Sequence, residues 1–311
     1  MNSHLLGKRG LNLYTEAGPL TPTAPFDFDQ SLKFLRGFGP TKNEQTVSPG
    51  SLTKAVCIDG QAVVFQISST GTTEEPRLAY TLLFAQPIGE STKNAVVERM
   101  IFFLSLQDDL RPFYRIGRED PDFAPIIEHL YGYHQVKFLT PFETACWAVL
   151  TQRNPMNIAQ KMKQTLIERF GSSLVVNGTT YWAFPEPIQV AVADESELTS
   201  LVPNGRRAEY LSAIARAFSE VDEEFLRTAP DEEVEALLRS IKGIGEWSAD
   251  FIMVRGLGRM ERVPLTEKRL VEAASKVYGL GEEMSRDALQ RLADKYGQWQ
   301  GYWAHYLRVA S

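Results

Sequence analysis

The chain reads as an α+β protein, with a small N-terminal mixed α/β domain built on an antiparallel sheet, then a mostly α-helical core of two helical subdomains. Three observations predict this. Residues 52–69 alternate apolar and polar side chains on either side of Asp59-Gly60, a pair suited to the positive φ angles of a two-residue hairpin. From about Ala95 onward the apolar spacing becomes helical, and few strand-like runs remain. Cap and breaker residues then recur at helix-length intervals.

In chain order, a short helix is expected over about Asp29 to Arg36, two antiparallel strands within Leu52 to Ser69, and a third strand from Leu78 that stops at Pro87 and Gly89. Pro141 to Leu150 forms the first helix of the core. The next is marked by Asn154 as cap, Pro155 at the first helical position and Gly171 as terminator, with Met156, Ile158, Ala159, Met162, Leu166 and Ile167 toward a core. Further helices are expected at Arg206–Phe218, Asp231–Arg239, Glu246–Leu257, Glu267–Tyr278, Ser285–Tyr296 and Trp299–Val309. The domain division is 1–94 and 95–311, the latter split into a subdomain of about 142–260 and a second from about 95–141 plus 261–311. Residues 1–25, with Lys8, Arg9 and a Pro/Thr-rich run from Pro19, read as a flexible lead-in without the apolar block of a signal peptide.

Composition narrows the function classes. With 43% hydrophobic and 23% charged residues, the chain has the make-up of an ordinary soluble, intracellular protein, and no run approaches the ~18 apolar residues of a membrane span. Two cysteines, Cys57 and Cys146, are too few for a disulfide framework, a four-thiolate zinc site or an iron–sulfur cluster, and the four histidines lack ligand spacing. No cofactor is therefore expected. The net charge of −6 argues mildly against nucleic acid as a partner, yet residues 239–269 carry seven basic side chains against four acidic ones.

That basic surplus surrounds the most informative stretch, Leu237 to Asp250, which reads as helix, tight hairpin, helix. Gly243 and Gly245 allow a sharp turn and expose main-chain N–H groups at the start of the second helix, where the dipole also favours an anion. A phosphate can be held there without a basic side chain. Taken alone, Gly-Ile-Gly equally well serves as a plain link between two packed helices.

In context the run resembles the hairpin of the helix-hairpin-helix (HhH-GPD) DNA glycosylase superfamily. Trp247-Ser248-Ala249, Arg255-Gly256 and Val263-Pro264 are similar to its 3-methyladenine DNA glycosylase II branch. So are Thr140-Pro141-Phe142-Glu143, Val149-Leu150-Thr151-Gln152, Gly205-Arg206-Arg207-Ala208-Glu209, and Phe26-Asp27 with Phe34. The resemblance implies a helix-hairpin-helix glycosylase core that extrudes a damaged base from double-stranded DNA and hydrolyses its N-glycosidic bond, acting as a monomer in base excision repair of alkylated, 3-methyladenine-like bases.

The resemblance also implies residue roles. Glu267 falls where the family has a catalytic carboxylate, usually Asp, that stabilises the sugar cation and directs water; read alone, Thr266 and Glu267 simply cap a helix and complement its dipole. Trp247, Phe251 and Phe34 fall in the base pocket, where aromatic faces attract a cationic base; read alone, they are core aromatics. Arg308 stands where another pocket aromatic is usual. Gln152 and Arg153 lie on the loop that inserts into the stack, and Gly243, Ile244, Gly245 and Ser248 face the phosphate; Gln152 and Asn154 can equally cap neighbouring helices. Main-chain carbonyls of Arg239, Ile241 and Ile244 would hold a structural Na or K ion. Bifunctional relatives have lysine where this chain has Trp247, so strand cleavage by a lyase step is not expected. Glu for Asp and Arg308 leave open a non-catalytic damage-sensing DNA-binding protein, and also a glycosylase for another lesion.

Overall fold

The computed structural model describes residues 13–202, 204–279 and 284–311. A five-stranded antiparallel sheet of order β1-β5-β4-β3-β2 is made from Tyr14–Leu20 (β1), Gln45–Ser48 (β2), Ser51–Ile58 (β3), Gln61–Ser69 (β4) and Leu78–Phe84 (β5). β3 and β4 turn at Asp59 and Gly60, whose φ angles of 53° and 73° are the pair a two-residue hairpin needs. Strand alternation sends Val63, Phe65 and Ile67 of β4 into the main core, while Val64 joins a small cluster on the other face.

That other face is covered by a second hairpin, Ser172–Val176 (β6) and Thr179–Ala183 (β7), through Leu174, Val176 and Ala183. This corrects the expectation of an almost strand-free second part. Its turn, Asn177-Gly178 with φ of 50° and 82°, is the same local signal as Asp59-Gly60. A second correction concerns the N-terminus. Residues 1–12 lie outside the described region, but Tyr14–Leu20 is no flexible lead-in; it pairs with β5 from Tyr14↔Phe84 to Leu20↔Leu78.

Fifteen α-helices occur among the described residues. They are Phe28–Gly37 (α1), Glu90–Phe103 (α2), Arg111–Glu119 (α3), Ala124–His129 (α4), Pro141–Thr151 (α5), Met156–Phe170 (α6), Pro187–Ala191 (α7), Glu195–Leu201 (α8), Gly205–Glu220 (α9), Glu223–Thr228 (α10), Asp231–Ser240 (α11), Glu246–Arg255 (α12), Lys268–Val277 (α13), Arg286–Asp294 (α14) and Gln300–Ala310 (α15). The expected helices are present with ends that coincide or are shifted by one or two residues. At α6 the cap differs: Pro155 is the N-cap, and the Asn154 amide instead donates to the Leu150 carbonyl at 2.8 Å, closing α5.

Two apolar cores organise the helices. One joins the inner face of the sheet to α1–α4 and α13–α15; the other gathers α5–α12. A buried charge cluster bolts the sheet domain to the second group. Lys163 of α6, 1% exposed, reaches Glu44 and Glu143 at 2.6 Å each and the Pro40 carbonyl at 2.9 Å, and Lys54 of β3 adds to Glu44 at 3.4 Å. With two cations against two anions the cluster is electrically balanced, the condition under which burial is tolerated.

Candidate DNA-lesion site

Between the two cores lies a cleft of about 1130 Å³, lined from one side by α5 and α12 and from the other by α1, α13 and α15. The four residues expected at the chemistry, Trp247, Phe251, Phe34 and Glu267, all line it.

The hairpin approaches the cleft from α11. Gly243 turns with φ of 97°, and an added Cβ would overlap the Tyr210 ring, so both the backbone angle and the space demand glycine. Gly245 is the N-cap of α12 with no side-chain cap, and open space lies in front of it. The first helical bond of α12 is Ala249 N–H to Gly245 O at 2.9 Å, so the N–H groups of Glu246, Trp247 and Ser248 have no acceptor within the helix. Ile244 and Ile241, each under a tenth exposed, anchor the loop in the core. The Ile241 carbonyl accepts the Ile244 N–H at 3.0 Å.

From below, Gln152 at the end of α5 ties the loop in place: its amide donates to the Gly243 carbonyl at 2.9 Å and to the Ser248 hydroxyl at 3.4 Å. Ser248 is buried, and its hydroxyl accepts this bond. Arg207 of α9 donates to the Gln152 carbonyl at 2.9 Å and the Val149 carbonyl at 3.4 Å, placing a cation at the C-terminal end of α5. Arg153, next in the chain, is exposed with φ of 54°, a left-handed conformation costing a residue with a Cβ on the order of 1 kcal/mol. The basic surplus read from the sequence does not make a free basic face: Arg262 pairs with Glu235 and Asp250, Arg259 with Asp231, Lys242 with Glu209, and Arg255 is buried.

Inside the cleft, Trp247 and Phe251, one helical turn apart on α12, stack with centroids 5.3 Å apart and planes 13° from parallel. Trp247 is 37% exposed, with its indole on the wall of the cleft. Opposite them Phe34 of α1 packs on Phe38 at 5.0 Å and on His305 at 5.6 Å.

Glu267 is the N-cap of α13, but its side chain makes no cap hydrogen bond. It is turned instead to Arg308 of α15, whose Nη1 donates to Oε2 at 2.6 Å. Arg308 also donates from Nε to the Ala304 carbonyl at 3.2 Å, while its buried Nη2 has no partner among the described residues.

Several residues here escaped the sequence reading. Arg255, 4% exposed, lies over the Phe34 and Phe38 rings at 5.4 and 5.2 Å and donates to His305 Nδ1 at 3.2 Å; its Nη2 is likewise unpartnered. Burial first, then the neighbouring Arg308, pushes its pKa down to about 10, so it remains cationic at neutral pH. His305 is held well below the ordinary imidazole range by burial and then by Arg255 and Arg308. It is neutral: Nδ1 accepts from Arg255, and Nε2 carries the proton toward Tyr133 Oη, 3.0 Å away. A usable signal was present, since a charged side chain closing the apolar run Phe251 to Val254 must find company in a core.

Fold and cleft together define a helix-hairpin-helix protein with a carboxylate facing an aromatic pocket. Residues 146–298, about half of the chain, match the model of the HhH-GPD superfamily base excision DNA repair proteins, and the chain belongs to that superfamily. Within it, the chain is 26% identical over 286 residues to the DNA-3-methyladenine glycosylase of Bacillus subtilis, covering 91% of this chain and 93% of that one. It is 27% identical over 161 residues to DNA-3-methyladenine glycosylase 2 of Escherichia coli, 52% of this chain and 54% of that one. Among solved structures, the 3-methyladenine DNA-glycosylase of Archaeoglobus fulgidus shares the fold with a TM-score of 0.78 at 23% identity, over 94% of this chain and 97% of that one. The 8-oxoguanine glycosylase/lyase of Clostridium acetobutylicum, in complex with double-stranded DNA, shares it with a TM-score of 0.67 at 17% identity, over 92% and 91%.

Proposed function

We propose that this protein is a DNA glycosylase of base excision repair that hydrolyses the N-glycosidic bond of alkylated, 3-methyladenine-like bases in duplex DNA, without a lyase step. The reading rests on one observation above all: an uncapped carboxylate, Glu267, lines the same cleft as the stacked, half-exposed Trp247 and Phe251. The relatives' names point the same way.

A phosphate held by the unpaired N–H groups at the start of α12 would set the duplex against the cleft, with Arg153 filling the space left by the extruded nucleotide. Extrusion costs roughly a few kcal/mol, least at damaged pairs. The bond from sugar C1′ to the base nitrogen then breaks, and the base leaves with the electron pair. An alkylated base leaves neutral, so no strong acid is required. The cationic sugar that remains is stabilised by the Glu267 carboxylate, and water adds to C1′ as its proton passes to that carboxylate. Trp247 occupies the place where a lyase would need an amine. A monovalent cation on the carbonyls of Arg239, Ile241 and Ile244 would add positive charge beside the phosphate; Ile241 O keeps one lone pair for it after accepting from Ile244. The protein is proposed to act as a monomer.

Single-turnover base release tests this. Wild type is expected to release 3-methyladenine and 7-methylguanine from duplex DNA, and Glu267→Gln to lower the rate by about 10²–10⁴-fold while still binding an abasic-site analogue. Equal rates for the two proteins would exclude Glu267 from the chemistry, and no release by wild type would favour a damage-sensing binder. Borohydride trapping of a protein–DNA adduct would refute the monofunctional reading. One observation supports a second substrate class: Arg255 and Arg308 put two cations beside one carboxylate, a poor setting for a cationic base. Release of a neutral oxidised or deaminated base, with methylated bases ignored, would decide for it.

A further inference from the structure

Glu267 and Arg308 both line the cleft, where glutamate reaches one methylene further than aspartate would, and in the structure these two side chains touch. They come from different helices, 41 residues apart in sequence. An acid at a helix N-cap ordinarily spends its carboxylate on the N–H groups of its own first turn. Glu267 does not. Its extra methylene carries the carboxylate away from α13 and adds a torsion, and a freely rotating carboxylate is a poor partner for a sugar cation at one fixed place.

Arg308 supplies the missing constraint. Its guanidinium is itself held, by the bond from Nε to the Ala304 carbonyl one turn back, and is only 15% exposed. A single Nη1 contact to Oε2 at 2.6 Å leaves the other carboxylate oxygen and Nη2 unspent. The ion pair therefore fixes the acid without consuming it. We infer that Arg308 is the positioning residue for Glu267, holding the longer carboxylate at one place in the cleft. The assignment rests on the glycosylase reading above and adds a residue to its machinery.

The experiment is a double-mutant cycle between Glu267→Gln and Arg308→Met, with Arg308→Lys as the conservative variant. The readouts are single-turnover release of 3-methyladenine at saturating protein and the Kd for an abasic-analogue duplex. Arg308→Met is expected to slow release roughly ten- to a hundredfold, the scale of a misplaced catalytic group, while the Kd changes by less than about threefold. Arg308→Lys recovers part of the rate. In the Glu267→Gln background, Arg308→Met costs nothing further, because the group it positions is gone. The inference is overturned if Arg308→Met keeps the wild-type rate, or if it costs as much beside Glu267→Gln as it does alone. Should Arg308→Met fail to fold, Arg308→Lys and Arg308→Gln carry the same comparison. A wild type that releases no base would sink the glycosylase reading itself; a working wild type with insensitive Arg308 variants sinks only this assignment.

Discussion

His305 shows how a single residue in the cleft couples chemistry to stability. It sits on α15 between Arg255 and Tyr133, neutral in the fold and held well below the ordinary imidazole range by burial and two guanidinium groups. Unfolded, it takes up a proton below about pH 6.5. The unfolded state then binds more protons than the native state, so the contribution of His305 is complete above that pH and declines as pH falls toward its depressed folded value. Thermal melts are expected to lose about 1 kcal/mol per pH unit below 6.5 from this residue, and His305→Gln should flatten the slope whatever its effect at pH 7. An unchanged slope would mean that His305 is already protonated in the native state. The cluster around it also marks the limit of residue-level reading. Trp247, Phe34 and Glu267 drew a role from the motif, whereas Arg255, quoted there without a role, joins His305 and Tyr133, distant in sequence, only in the fold.

At the scale of elements the hairpin is the clearest case of local chemistry dictating structure. Gly243 and Gly245 look equivalent in the sequence and are not equivalent in space. Gly243→Ala combines a positive φ with overlap on Tyr210, and is expected to destabilise the loop by about 1–3 kcal/mol and weaken binding to duplex DNA. Gly245→Ala faces open space at an ordinary extended angle and should cost no more than about 1 kcal/mol. Melting temperatures and DNA titrations of the two variants check the contrast; equal effects would remove the structural basis assigned to the loop. The strands divide in the same way. Asp59-Gly60 declared its hairpin because apolar alternation flanks it, while Asn177-Gly178 makes the same turn between two five-residue strands whose Leu174, Val176 and Ala183 pack on the outer face of the sheet. β1, with Tyr14 half exposed and most of its residues open to solvent, carries little apolar pattern of its own; the free edge of β5 makes it a strand.

For the whole molecule, the decisive feature is that the cleft belongs to neither core. Trp247 and Phe251 ride on one, while Phe34, Glu267 and Arg308 ride on the other, so the working geometry depends on how rigidly the parts are joined. Lys163 is central to that junction. Its pKa is raised: burial alone would lower it, but Glu143 and Glu44 outweigh that penalty, so it stays charged at neutral pH. Replacing it by Met would leave two carboxylates buried without their shared cation, and Lys163→Met is expected to cost about 3–5 kcal/mol in denaturant unfolding. A loss below 1 kcal/mol would show that water or rearrangement satisfies those acids.

By itself the sequence determined what depends on neighbours along the chain. That covers the antiparallel hairpin at Asp59-Gly60, nine of the fifteen helices described and most of their ends, the glycine turn before Trp247 and the motif that places the chain in its superfamily. Periodicity, capping and backbone freedom act over a few residues, so they can be read from a few residues. The tertiary structure alone decided the pairing of Glu267 with Arg308, the burial of Arg255 against two phenylalanines and the conversion of a weakly patterned N-terminal segment into an edge strand. Each of these is a contact between groups tens to hundreds of residues apart, whose energy exists only once the fold has brought them together.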